Sequence, residues 1–87
     1  MATVFIPALL RDATGGRDVV TAEGATIRLL IENLEVQFSG IKARLLTGDD
    51  LRRGLAVAVG GRLASRDLDH PIPPDAEVHF VPALSGG

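Results

Sequence analysis

Between Ile27 and Phe38 the apolar residues return at helical spacing. Ile27, Leu30, Ile31, Leu34 and Phe38 stand at i, i+3, i+4, i+7 and i+11, which draws one stripe along one side of a helix. Arg28, Glu32, Asn33, Glu35 and Gln37 supply the opposite side. Thr26 is placed to cap the first turn with its hydroxyl, and Gly40 to stop the last. A lone amphipathic helix has to bury its stripe against another kind of layer.

The flanking segments provide that layer. Thr3 to Leu9 reads as a first strand, with Pro7 forcing a bend or an edge because it has no ladder donor. Thr14-Gly15-Gly16 is a turn signal, and Arg17 to Ala22 a second strand that closes a hairpin. After the helix, Ile41 to Leu46 makes a short helical turn ended by Gly48. Leu55-Ala56-Val57-Ala58-Val59 is apolar on both faces, the pattern of a central, covered strand. Gly60-Gly61 is a tight hairpin turn leading to a short return strand at Arg62 to Ala64. Arg66 to Asp69 is polar loop, and His70-Pro71-Ile72-Pro73-Pro74-Asp75 a rigid turn. The last strand runs from Ala76 to Pro82, with Val78 and Phe80 on one face and His79 and Val81 on the other. This order is that of an α+β, two-layer β-grasp domain: a mixed sheet of about four to five strands, covered by one main helix. The first and last strands are expected to lie side by side and parallel. Residues 1–82 form that domain, and 83–87 a flexible tail.

Composition removes several classes of function. The chain has 87 residues, a net charge of −2 and scattered basic residues, unlike a nucleic-acid or anionic-membrane surface. Without Trp or Tyr it has little to stack on bases. It has no cysteine for disulfides, thiolate ligands or thiol catalysis. No apolar run reaches the roughly 18 residues of a membrane span, and the N-terminus lacks a charged leader, so the expected location is cytoplasmic. His70 and His79 lack a metal-ligand spacing. Asp49-Asp50 and Asp67/Asp69 read as solvated loop charge rather than a calcium loop.

The chain stops at Ser85-Gly86-Gly87. Two residues without a Cβ make a thin stalk that can thread a narrow channel and present a carboxylate to another protein's active site. With that tail, the whole chain resembles the ubiquitin-like sulfur-carrier proteins: the molybdopterin synthase small subunit, the thiamine-pathway carrier and the cysteine-synthesis carrier. The residues that carry the resemblance are Ile6-Pro7-Ala8-Leu9-Leu10-Arg11 with Thr14-Gly15-Gly16, Glu23-Gly24-Ala25-Thr26, Pro74-Asp75-Ala76-Glu77-Val78, and above all Val81-Pro82-Ala83-Leu84-Ser85-Gly86-Gly87. Family members often carry Asn where Gly60 stands. The opening motif and Phe38-Ser39-Gly40-Ile41 resemble the molybdopterin and cysteine-synthesis branches more than the shorter thiamine carriers, and the molybdopterin type is the leading expectation. The alternatives are the cysteine-synthesis type and a protein modifier conjugated through Gly87.

The resemblance implies a division of labour. An E1-like enzyme uses ATP and Mg²⁺ to adenylate Gly87, a sulfur donor converts it to a thiocarboxylate, and a sulfur-accepting synthase (the molybdopterin synthase large subunit or a cysteine synthase) takes the sulfur. The carrier binds no cofactor or metal and is not catalytic alone. Gly87 is the attachment point and Gly86 the neighbour that lets it enter. Pro7, Leu63, Val81, Pro82, Leu84 and Ser85 form the partner-binding positions. The alternative reading of Leu63 and Val81, secondary to this one, is partly buried core.

Overall fold

The computed structural model describes residues 1–64 and 66–82. Its elements in chain order are β1 (Ala2–Phe5), a 3-10 helix (Ala8–Thr14), β2 (Val19–Ala22), α1 (Ile27–Gln37), α2 (Ile41–Leu45), β3 (Leu46–Thr47), β4 (Asp50–Leu51), β5 (Leu55–Val59), β6 (Arg62–Leu63) and β7 (Glu77–Pro82). Five strands form one sheet in the order β2-β1-β7-β5-β6, and β3 and β4 form a separate small hairpin. The terminal strands β1 and β7 lie parallel at the centre of the sheet, and every other pairing is antiparallel.

The apolar stripe is α1. Thr26 holds extended backbone, and its Oγ1 accepts the Leu29 N–H at 3.2 Å. Ile27, Leu30, Ile31 and Leu34 are buried against Ala2, Val4, Val20, Ala22, Leu55, Val57, Val78 and Phe80, the inward positions of the sheet. Phe38 serves as the C-cap and packs half-buried against this core. The segment expected to be polar loop and turn also contributes. Leu68 and Ile72 are buried, while the carbonyls of His70 and Leu68 accept the N–H groups of Ile27 and Arg28 at 3.2 and 2.7 Å. Those are first-turn amides that have no partner inside the helix.

Several expectations are corrected. The first strand ends at Phe5, short of Leu9. Pro7 offers no N–H, and its carbonyl accepts the Leu10 N–H at 2.9 Å, starting a 3-10 turn that buries Leu10 and leaves Leu9 exposed. Thr14-Gly15-Gly16 therefore closes that helix rather than forming a two-strand turn. Thr14 is buried, with its Oγ1 at 2.7 Å from the Arg17 carbonyl and 3.1 Å from that of Arg11. The second strand starts at Val19, not Arg17.

Gly40 is not the stop of α1 but the N-cap of α2, at φ +101. The Glu35 carboxylate reaches across this junction and accepts the backbone N–H groups of Gly40 at 3.0 Å and Lys42 at 2.9 Å. These two bonds, first Gly40 and then Lys42, hold its pKa below the usual carboxylate range against a small opposing desolvation. Leu46 belongs to β3, and the β3–β4 hairpin was not anticipated.

At the other end, β6 stops at Leu63 and β7 begins at Glu77. The hairpin at Gly60-Gly61 has both residues at positive φ, +60 and +83, as a tight two-residue turn requires. Strand β5 is interior to the sheet but covered on one face only. Leu55 and Val57 are buried, whereas Ala56, Ala58 and Val59 are half-exposed.

Candidate functional site: the open face of the sheet and the root of the tail

Because α1 covers one face, every second residue of the sheet is left on the other. Register joins five of them into a single row: Val19 opposite Phe5, Phe5 beside His79, His79 opposite Ala58, and Ala58 opposite Leu63. The row crosses all five strands. Its outer members are the most exposed, Val19 at 43% and Leu63 at 73%. At its centre the Phe5 ring and the His79 imidazole stack with centroids 4.1 Å apart and planes 4° from parallel. Val81 lies two residues further along β7, opposite Ala56, and is half-buried. Contiguous exposed apolar surface on a small domain is a general feature of protein, membrane and ligand contact sites.

The anticipated binding positions fall around this row. Leu63 belongs to it and is exposed, so it is not core. Val81 is half-buried on the same face. Pro7 is half-buried at the N-cap of the 3-10 helix, two residues beyond Phe5. Pro82 is exposed, opposite Leu55 at the end of β7. Leu84, Ser85, Gly86 and Gly87 lie outside the described residues, as does the boundary drawn at 83. Sequence reasoning did not single out Val19 or Phe5. Phe5 is one residue of a strand whose register only the fold reveals, while the alternation of β7 did place His79 on this face.

The remaining candidates are accounted for locally. The His70 carbonyl caps α1. His79 Nε2 lies 3.8 Å from Glu77 Oε1 on the same strand. Asp69 pairs with Arg28 at 3.1 Å, and the Asp67 Oδ1 accepts the Asp69 N–H. Among the described residues no group of three or more His, Cys, Asp or Glu side chains is arranged to hold a metal ion. No helix among them is long and apolar enough to cross a membrane.

The path of β7 organises the site. Antiparallel pairing runs from Val59 opposite Val78 to Leu55 opposite Pro82, so the chain leaves the sheet at the end where β5 begins. Five residues, the number from 83 to 87, reach at most about 18 Å when fully extended.

Comparison with known proteins agrees with this arrangement. A model of the ThiS family matches residues 4–87. The sulfur carrier protein CysO of Mycobacterium tuberculosis is 36% identical over 90 residues, covering 98% of this chain and 97% of that protein. CysO in the crystal structure of the Amycolatopsis orientalis BexX/CysO complex superposes with a TM-score of 0.90 at 36% identity, covering 100% of both chains. The fold alone extends to SAMP1 of Haloferax volcanii, with a TM-score of 0.73 at 24% identity over 99% of this chain and 98% of that one. The chain belongs to the ThiS family, the ubiquitin-like sulfur carriers that its sequence resembles.

Proposed function

We propose that this protein carries sulfur as a thiocarboxylate on Gly87 and delivers it to a cysteine-forming synthase. The observation that carries the reading is similarity to CysO along nearly the whole length of both chains, at 36% identity and with a TM-score of 0.90. It favours the cysteine-synthesis type over the molybdopterin type expected first, for which no counterpart stands among these relatives.

A carboxylate resists substitution because its leaving group would be oxide. The Gly87 carboxylate attacks the α-phosphorus of ATP on an E1-like, Mg²⁺-using partner, and pyrophosphate departs. A sulfur nucleophile then displaces AMP from the acyl carbon and leaves –C(=O)S⁻. The carrier contributes the arm and the docking face, and its partners contribute the catalytic groups. Holding the tail in a channel costs about 1–2 kcal/mol per ordered residue. The apolar row through Leu63 and His79 is suited to offset that cost.

The branch is tested by offering the thiocarboxylated chain to purified acceptors. Given its activated amino-acid substrate, a cysteine synthase from the same cell is expected to capture the thiocarboxylate sulfur as an S-acyl cysteine with loss of the substrate's leaving group, and water then cleaves the acyl–sulfur bond to give cysteine and the carboxylate form of the chain, while a molybdopterin synthase large subunit with its own precursor leaves the chain loaded. The opposite pattern overturns the assignment. Isopeptide adducts through Gly87 in cell lysates would instead place the chain among protein modifiers.

A further inference from the structure

The β4–β5 corner, where the tail departs, carries an arrangement that the apolar row does not explain. Arg52, Arg53 and Arg66 line one open depression of about 590 Å³ together with Thr47, Asp50 and Leu51. Three arginines thus line one depression with a single acidic residue, on a chain whose net charge is −2. Elsewhere the cations Arg28, Lys42 and Arg44 are matched by Asp69, Glu32 and Asp12, while Arg11, Arg17 and Arg62 have no ion pair among the described residues but do not line this depression. Among the described residues, none of the three corner arginines is ion-paired.

Two of them are held in place by the backbone. The Arg66 guanidinium donates to the carbonyls of Leu51, Arg52 and Leu55, and the Arg52 Nε to that of Ala43 at 3.1 Å. A guanidinium has five N–H donors, so both keep donors to spare. Arg53 is exposed and makes no hydrogen bond among the described residues. The corner is adjacent to the tail root, because the Leu55 N–H donates to the Arg52 carbonyl at 3.3 Å and Leu55 pairs with Pro82.

We propose that this arginine corner docks a carboxylate-bearing rim on the enzyme that takes up the tail, steering the diglycine end toward its channel. The inference rests on the carrier reading above. The charge of the corner selects an acidic partner, and its position beside Pro82 puts it against whatever surrounds the threaded tail. Rim charges of this sort act mainly on the association rate and its salt dependence. Fixed guanidinium groups lose little side-chain freedom when they bind.

The test is stopped-flow association of the full chain with its cognate adenylating enzyme at about 50 and about 300 mM salt, bracketing the range over which surface charges become screened. Arg53→Glu is expected to slow association about fivefold or more at low salt and to flatten the salt dependence. Arg53→Lys should stay near wild type, as should Arg17→Glu, which reverses an exposed charge near the β2 edge. Equal rates for Arg53→Glu and wild type, or a wild-type rate indifferent to salt, overturn the proposal. Sulfur loading of Gly87 is followed in the same mixtures. Loading with unchanged Arg53→Glu kinetics rejects the arginine corner alone, whereas no loading of wild type rejects the carrier reading and this inference with it.

Discussion

The Phe5 ring lies flat on the His79 imidazole, 4.1 Å between centroids, across the one parallel strand pair of the sheet. Offset or stacked aromatic pairs contribute about 0.5–1.5 kcal/mol beyond area burial. Here the pair also builds the middle of the apolar row that ends at Leu63. A charge at Leu63, the exposed end of that row, is expected to weaken binding to the proposed acceptor synthase, so Leu63→Asp should cost about tenfold in affinity. The thermal midpoint of the free protein should stay close to wild type, because Leu63 is 73% exposed. Calorimetric titration checks the first and a melting curve the second.

Gly24 answers to a different constraint. A Cβ built there would sit 2.4 Å from the backbone nitrogen of Leu30 and 2.6 Å from its Cα. Backbone cannot swing aside as a flexible side chain does, so Gly24→Ala is expected to destabilise by about 1–3 kcal/mol, the usual cost of overpacking. Urea unfolding measures it, with an unchanged slope.

Thr14 pins the 3-10 helix by sharing its one hydroxyl proton between the carbonyls of Arg11 and Arg17. Thr14→Val keeps the shape and removes the proton donor, with an expected loss of about 1–2 kcal/mol. Thr14→Ser retains the donor and should recover most of the difference in the same unfolding assay.

Glu35 links stability to pH. Its folded pKa is depressed, first by the Gly40 N–H and then by the Lys42 N–H. The stabilisation is therefore present above the unfolded carboxylate pKa and is lost as pH falls through the lower folded value. Glu35→Gln should lower the thermal midpoint at neutral pH and reduce its decline below about pH 4. A scan of melting temperature against pH for both forms reads the difference directly.

Much of this architecture is legible in the residues themselves. The Ile27–Phe38 stripe, the Gly60-Gly61 turn and the alternation from Glu77 to Pro82 each express a local periodicity or a φ requirement, and each appears where expected. The 3-10 helix after Pro7 was harder to see, because Ala8-Leu9-Leu10 is as compatible with a strand as with a tight turn until tertiary packing selects Leu10 for burial. The β3–β4 hairpin is held by only two residue pairs, too few to leave a periodic signal. The apolar row and the arginine corner are products of register. Arg52 and Arg66 share a depression because β4 and the β6–β7 connection meet, which spacing along the chain does not reveal.

The most direct measurement is the intact mass of the chain after incubation with its adenylating enzyme, ATP, Mg²⁺ and a sulfur source. Exchange of one carboxylate oxygen for sulfur predicts a gain of about 16 Da on wild type and none on a variant lacking Gly87, which should remain folded. A wild-type mass that stays unchanged with an active cognate enzyme contradicts the account.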